Sequence, residues 1–491
     1  MYLIEFTYFL GFIVLLYIVR PFQLKNENKW LMPIGFTIKT VIGILFLSIY
    51  LHPDTNNSVP SDTMRFLNEG KILNDVFYQS PYDYFKLLIG IKEHEELIHK
   101  YLMETFLWDS GNYTIVNDSR TVIRIHSLIH FISFGSAFIH NLFMCFIALM
   151  GVKHLFYAFN SYTKIKDSYF FLILILIPSL LFWTSGILKE PFLILGIGLL
   201  FRGLLNKGDS KKKKMFYTII GIILLSAIKP YVLFALIPGF IYAFLNLLIP
   251  NLKVIYKLIL TFLVISISSL ILYKSTDKVA HYLSRKQFDF DHVGKGGIFI
   301  DYNDSSLAYF EMRDYDKITV KRKKNLLTVN QKTRIKIISK RHQFKDYYHI
   351  IKPSKKELTI VYNVGGALSY VETTPIHNSK TQLLKNIPEA LTNVYLRPYI
   401  SDPGSNLKYL SMLEMWGTFL LLIVSLIKHR KLDEWNWNII VAIGLFCISL
   451  ALIIGWTTPV LGAIFRYRFP IIVAIILLAT FIIEPPKKIH K

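Results

Sequence analysis

The sequence predicts an all-α polytopic membrane protein of about eleven transmembrane helices with a small extracytoplasmic α/β or β insert. Hydrophobic residues make up 53% of the chain, and its mean hydropathy is +0.41. Several apolar runs approach or exceed the roughly 20 residues that cross a ~30 Å hydrocarbon core as a helix. Short basic segments separate these runs. A soluble fold would have to bury every run. A bilayer accepts them, provided each backbone N–H and C=O is satisfied within its own segment.

Spans are expected at 2–19, 32–51, 140–159, 169–184, 190–205, 216–228, 231–249, 254–273, 408–427, 437–456 and 464–483. The first lacks a basic leader and a small-residue cleavage site, so it reads as a retained span and not a signal peptide. Lys229-Pro230 divides the stretch 216–249 in two. The segments "RPFQLKNENK" (20–29), "SYTKIK" (161–166), "NKGDSKKKKM" (206–215), "PNLK" (250–253), "KHRKLDEW" (428–435) and "PPKKIHK" (485–491) are basic. With these spans all of them fall on one side, which the positive-inside rule makes cytoplasmic. The expected location is the cytoplasmic membrane, with the N-terminus outside and the C-terminus inside. Four regions follow: an added span and its loop (1–31), a seven-span module with the outer loop 52–139 (32–273), an outer insert (274–407) and a three-span module (408–491).

Within the outer loop 52–139, "PSDTMRFLNEGKIL", "PYDYFKLLIGI" and "VIRIHSLIHFISF" have the pattern of amphipathic helices lying on the membrane surface. Within the insert, "ITVKRKKNLLTV", "TRIKIIS" and "ELTIVYNV" read as strands, placing a soluble unit at about 290–380. The insert is basic although outside, which a loop of this length tolerates.

Several function classes are set aside. Cys145 and Cys447 both sit in apolar runs, so neither a disulfide framework nor a thiolate zinc site is expected. The net charge of +23 lies mostly beside spans, where it meets anionic lipid, so no nucleic-acid partner is expected. "GKGG" (294–297) lacks the P-loop pattern. His126 and His130 are spaced to share a helix face with His140 beyond, yet no further ligand accompanies them; solvated or interfacial histidines are expected, and no metal site. Asn56, Asn112, Asn117 and Asn303 head sequons in outer loops.

The chemistry-bearing residues are charges at the outer ends of spans. Asp62 follows the second span. Arg120 and Arg124 precede the third. Lys189 and Glu190 interrupt "FWTSGILKEPF", and Lys229 sits at the break in "SAIKPYVLF". Arg397 and Glu414 flank the return from the insert, and Arg466 and Arg468 open the last span in "GAIFRYRFP". Charges near membrane depth are costly unless they face a bundle interior or a wet cavity. Sharing one depth and one side, these predict a single outward-opening hollow, with more cations than carboxylates. Arg grips phosphate bidentately and Lys acts as a point charge, so the ligand expected is an anion such as the phosphate of a polyprenyl carrier. Asp62 or Glu190 would then be the base that deprotonates an acceptor hydroxyl. Each residue also has a plainer reading: Arg124 and Lys229 as snorkelling side chains, Asp62 as a helix N-cap, Lys189-Glu190 as a local ion pair.

The motifs "PSLLFWTSGILKEPF", "NDSRTVIRIHSLIHFISFG", "LTNVYLRPY" and "FRYRFP" resemble multi-pass proteins of bacterial surface-polysaccharide clusters. In layout the chain is similar to the GT-C glycosyltransferase superfamily, and also to Wzy-type polysaccharide polymerases. The GT-C resemblance implies a sugar transferred from a polyprenyl-(di)phosphate donor to a glycan, lipid or protein acceptor outside the membrane. It implies Asp62 and Glu190 as the acidic pair. Lys189, Arg466, Arg468, Arg397, Arg124 and Lys229 would be the phosphate-holding cations. The chain departs from that pattern in its additional first span and in a lone Asp-Thr where paired acids are usual, which leaves dependence on a divalent metal open. A polymerase joining repeat units, or a lipid-linked glycan transporter without chemistry, shares the layout.

Overall fold

A computed structural model of the chain describes residues 2–51, 61–90, 95–102, 105, 118–271, 273–303, 306–311, 316–321, 326–339, 347–377, 379–429 and 434–483. Asn56, Asn112, Asn117 and the basic tail 485–491 lie outside the described residues.

Helices α1 (Tyr2–Ile18) and α2 (Leu31–Tyr50) lead to α3 (Asp62–Gln79), α4 (Pro81–Ile89), α5 (Glu95–Tyr101) and α6 (Asp118–Ser133). The long α7 (Ala137–Phe159) follows, and then a broken element, α8 (Asp167–Leu176), α9 (Pro178–Trp183) and α10 (Glu190–Leu205). Next come α11 (Lys211–Ile228), α12 (Pro230–Leu248), α13 (Val254–Ile271) and α14 (Tyr273–Lys295). After the insert stand α15 (Lys380–Lys385), α16 (Ile387–Tyr395), α17 (Leu407–Ile427), α18 (Glu434–Thr457), α19 (Leu461–Tyr467) and α20 (Phe469–Ile482).

Among the described residues five helices are long and apolar enough to cross a membrane: Leu31–Tyr50, Ala137–Tyr162, Pro230–Leu248, Leu407–Ile427 and Trp437–Thr457. The pair α19 and α20, bent by 45°, makes a sixth if it is one span. Length and composition therefore carry five or six of the crossings expected from sequence. The other expected spans are helical but short, as in Leu3–Ile18 and Asp167–Leu176, or start with charge, as α11 does with four lysines.

Helix α7 is the hub, packing on α1, α2, α8 and α10, and α10 in turn packs on α11. Glycines allow the closest approach. A Cβ on Gly151 would lie 2.6 Å from the Leu195 nitrogen, and one on Gly198 would lie 2.3 Å from the Gly151 carbonyl oxygen. Small residues let helix backbones touch where lipid offers no hydrophobic drive. Gly198→Leu is expected to lower stability by about 1–3 kcal/mol, because backbone cannot move aside for the side chain. A thermal melt of the purified variant in detergent checks this; an unchanged midpoint would mean the two helices are free to separate.

Helices α3, α4 and α6 are amphipathic, as expected, and their apolar faces pack together and on α7 and α10. Phe66, Leu73, Tyr84, Val122 and Ile123 form a core of their own with Met144 of α7 and Phe192 of α10. A second strip, Tyr78, Tyr82, Phe85 and Ile89, stays exposed. Of the three histidines expected at a wet interface, two are instead packed inside and His130 is half-buried. His126 and His140 are fully buried with their Nδ1 atoms 2.8 Å apart, and Ser133 Oγ lies 2.9 Å from His140 Nε2. Burial followed by the neighbouring His130 pushes His126 down to about 3, so it stays neutral. Cys145 and Cys447 are buried and free.

The insert is a seven-stranded antiparallel sheet: β1 (Gly297–Asn303), β2 (Ser306–Glu311), β3 (Ile318–Lys321), β4 (Leu326–Val329), β5 (Thr333–Ser339), β6 (Tyr347–Ile351) and β7 (Ser354–Val364), in the order β3-β4-β7-β1-β2-β5-β6. Alternation puts Ile298, Ile300, Ala308, Phe310, Leu327 and Val329 on one buried face. "GKGG" turns α14 into β1: Gly296 takes φ +69°, and a Cβ there would meet the Gly366 nitrogen at 2.3 Å. The chain leaving the sheet is stitched to the segment before α19. Val371 N–H donates to Pro459 O (2.8 Å), and Leu461 N–H donates to Ser369 O (2.9 Å). The insert thereby helps fix the helix that carries Arg466.

Candidate functional site

Helix ends meet at one place. Asp62 opens α3, Asp118 opens α6 and Glu190 opens α10; Lys229 joins α11 to α12, and Arg466 lies in the last turn of α19. Acids at helix N-termini and a base at a C-terminus complement the helix dipoles. Local sequence accounts for each start. Ser61, not Asp62, is the N-cap of α3: its hydroxyl accepts from the Met64 N–H (3.3 Å) and donates to the Tyr50 carbonyl (2.9 Å). The side chain of Asp62 is thus left for other partners. Pro191 sits in the first turn of α10, where its missing N–H costs nothing.

Arg466 is the centre. Its Nε and Nη2 donate to the two oxygens of Glu190 at 2.7 and 2.9 Å, and its Nη1 donates to Asp62 Oδ2 at 2.7 Å. Lys229 Nζ donates to Glu190 Oε1 at 2.7 Å. Lys189 turns away from Glu190 and donates to Asp118 Oδ2 at 2.6 Å and Ser119 Oγ at 2.8 Å. The adjacent Lys-Glu pair of the sequence is therefore not a local ion pair; its members point to different partners. Aromatic rings surround the charges. Lys229 Nζ lies 4.3 Å from the centre of the Tyr467 ring, and Lys189 Nζ lies 6.0 Å from that of Phe66. The Tyr231 hydroxyl is buried and has no hydrogen-bond partner among the described residues.

The unwound segment 184–189, between α9 and α10, is held from two sides. Thr63 Oγ1 donates to the Ile187 carbonyl (3.2 Å). Below it, the fully buried Lys39 of α2 donates to Thr184 Oγ1 (2.7 Å). Lys39 places a cation at the C-terminal end of α9, where the dipole favours one.

Sequence reasoning thus placed Asp62, Lys189, Glu190, Lys229 and Arg466 in one hollow, and the structure brings these five together. It does not bring the other cations there. Arg468 caps α19 at the bend, two residues beyond Arg466, and points elsewhere: it donates to the carbonyls of Val394 and Arg397 (2.8 and 2.6 Å) and to Ser411 Oγ (2.8 Å). Arg397 pairs with Asp402 at 2.7 Å. Arg124 lies under Gly90 and donates to the Leu87 carbonyl at 2.9 Å. Glu414 accepts from the Ser179 N–H of α9 at 2.6 Å. The expected excess of cations is also corrected. Asp62, Asp118 and Glu190 face Lys189, Lys229 and Arg466, a balanced set. Asp118, Lys39 and Tyr231 were missed. Asp118 carried a signal, as the acid opening an amphipathic helix, and so did Lys39, as a lone charge within an apolar run.

Burial alone would raise the Asp62 carboxyl, but Arg466 and Lys189 outweigh it and hold it below the usual carboxylate value. At Asp118 burial acts the same way and Lys189 overcomes it. Folded-state values lowered in this way contribute stability above the unfolded value, and that contribution is lost as pH falls through the lowered one. Below the ordinary histidine value of 6.5 the unfolded chain binds a proton that buried His126 does not, so the thermal midpoint is expected to begin falling there and to fall further below the ordinary aspartate value of 3.8, as Asp62 and Asp118 lose their ion pairs. A midpoint that stays level from about pH 7 to about pH 4 would mean that His126 is not buried in its neutral form.

Among the described residues no group of three or more His, Cys, Asp or Glu side chains is placed to hold a metal ion. Comparison with protein families, with characterised proteins and with solved structures found no match to this chain.

Proposed function

We propose that this chain is a GT-C-like membrane glycosyltransferase that moves a sugar from a polyprenyl-(di)phosphate donor to a glycan, lipid or protein acceptor on the extracytoplasmic side. The observation that supports it is the meeting of Asp62, Glu190 and Arg466, far apart in sequence, through hydrogen bonds of 2.7 to 2.9 Å at a convergence of helix ends. A phosphate group is the ligand such a set of cations and helix N-termini accommodates. In the reaction the acceptor hydroxyl oxygen bonds to the anomeric carbon. The bond from that carbon to the phosphate oxygen breaks, its electron pair stays on the phosphate, and the hydroxyl proton passes to the Asp62 carboxylate. Lys189 and Arg466 stabilise the charge that gathers on the leaving phosphate. The full reading keeps eleven crossings, with the shorter helices completing the set by tilt and snorkelling. It also keeps an N-terminus outside and a location in the cytoplasmic membrane.

The test is transfer from a polyprenyl-phosphate sugar in proteoliposomes. Asp62→Asn should lower the rate by roughly 10²–10⁴-fold while leaving the protein folded. An Asp62→Asn variant with full activity would remove Asp62 from the chemistry.

A further inference from the structure

We propose that the site works by carboxylate exchange: a phosphate group of the incoming donor takes the places that Asp62 and Asp118 occupy on Arg466 and Lys189, so that Asp62 becomes a free base only once donor is bound. This rests on the function proposed above and adds the order in which its parts act.

The ion pairs fall into two layers. In the inner layer Glu190 is fully buried and Lys229 is 4% exposed. In the outer layer the carboxylates are open, Asp62 at 41% and Asp118 at 47%, while the cations that they cover, Arg466 and Lys189, are each 13% exposed. Ligand arriving from the exterior therefore reaches the two aspartates first and the cations only behind them.

The bonding is arranged so that the outer layer can leave without loosening the inner one. Arg466 keeps its bidentate grip on Glu190 through Nε and Nη2 when the contact from Nη1 to Asp62 is released. Lys189 keeps Ser119 Oγ when Asp118 departs. The N-termini of α3, α6 and α10 all end here and add positive partial charge, which favours whichever anion fills the place. The Tyr231 hydroxyl, buried and without a partner among the described residues, is a donor that the resting cluster does not use and a ligand oxygen can.

The resting pair also masks the base. A carboxylate held by a guanidinium is a poor proton acceptor, and Asp62 is held in that way at 2.7 Å. Exchange removes this brake at the moment an anion replaces it, which couples proton abstraction to the presence of donor.

The experiment measures binding of farnesyl phosphate to the purified full chain in detergent at neutral pH, with inorganic phosphate and farnesol as separate arms. Removing a competing carboxylate removes a cost that the ligand otherwise has to meet. Asp62→Asn and Asp118→Asn should therefore each bind farnesyl phosphate about tenfold more tightly than the native chain. Two positions are used so that misfolding of one variant does not decide the matter. If the native chain binds and both variants bind equally or more weakly, exchange is overturned and the lipid-phosphate site stands. If neither native chain nor variants bind, the site reading fails and exchange with it. If inorganic phosphate binds as well as farnesyl phosphate and tightens in both variants, exchange holds for a free anion and the lipid source is overturned. If farnesol binds as well as farnesyl phosphate, no phosphate is being recognised and the proposal is wrong.

Discussion

Arg466→Lys is expected to reduce sugar transfer by about 10³-fold or more, although it conserves charge. Arg466 spends three N–H groups on two carboxylates that arrive from different helices, Glu190 on α10 and Asp62 on α3. An ammonium is a point donor on a flexible stem and cannot reproduce the planar fork. Glu190 would retain Lys229, so the lysine variant should still fold. Arg466→Ala should in addition lose about 3–5 kcal/mol of stability, because a buried pair has lost one member. Transfer assays and detergent melts on both variants separate the two effects. Native turnover by Arg466→Lys would show that the fork geometry is irrelevant to function.

Glu190→Gln should damage stability about as much as Arg466→Ala. Glu190 is fully buried and accepts from both Arg466 and Lys229. The amide keeps the shape but removes the negative charge between two cations; Arg466 still holds Asp62, but Lys229, 4% exposed, loses its carboxylate, at a cost of about 3–5 kcal/mol. Lys229→Met in the Glu190→Gln background should recover part of that loss, since the buried cation that lost its carboxylate is then gone. A double-mutant cycle on the thermal midpoint reads the coupling directly. Additive effects would mean that the pair is not coupled in the folded chain.

Much of this site could be read from the chain because charge is so costly in an apolar setting. Asp62, Glu190, Lys229 and Arg466 stand out at the ends of greasy runs, and depth alone predicts that they meet. Partner choice was not legible. Arg466 and Arg468 are two residues apart in one motif, yet the helix turns by roughly 200° over that distance, and the 45° bend falls between α19 and α20. One arginine therefore enters the cluster while the other ties Val394, Arg397 and Ser411 together. Lys189 and Glu190 diverge for the same reason: adjacent residues at a helix start point to different sides.

The fold shows a similar division. The strands read from alternation and β-branched content correspond to β3 and β4 (within 318–329), β5 (333–339) and the second part of β7 (357–364), whereas β1, β2 and β6 were not read, although Ile298, Ile300, Ala308 and Phe310 alternate onto the buried face. The order of the seven strands depends on long-range pairing that no local pattern records. The histidines misled because polarity was taken as a sign of water. His126 instead satisfies Nδ1 against His140 beneath the stacked ring of Phe66.

The most direct measurement is thiol labelling in intact cells. Cysteines are placed by Asp62→Cys and Arg466→Cys, singly and together, in a chain with Cys145 and Cys447 replaced by serine. Both single variants should react with a membrane-impermeant maleimide from outside, and the double variant should be bridged by a short bifunctional thiosulfonate. Labelling of positions 62 and 466 from opposite sides of the membrane, or accessible thiols that no short reagent can join, would contradict a single outward-facing cluster.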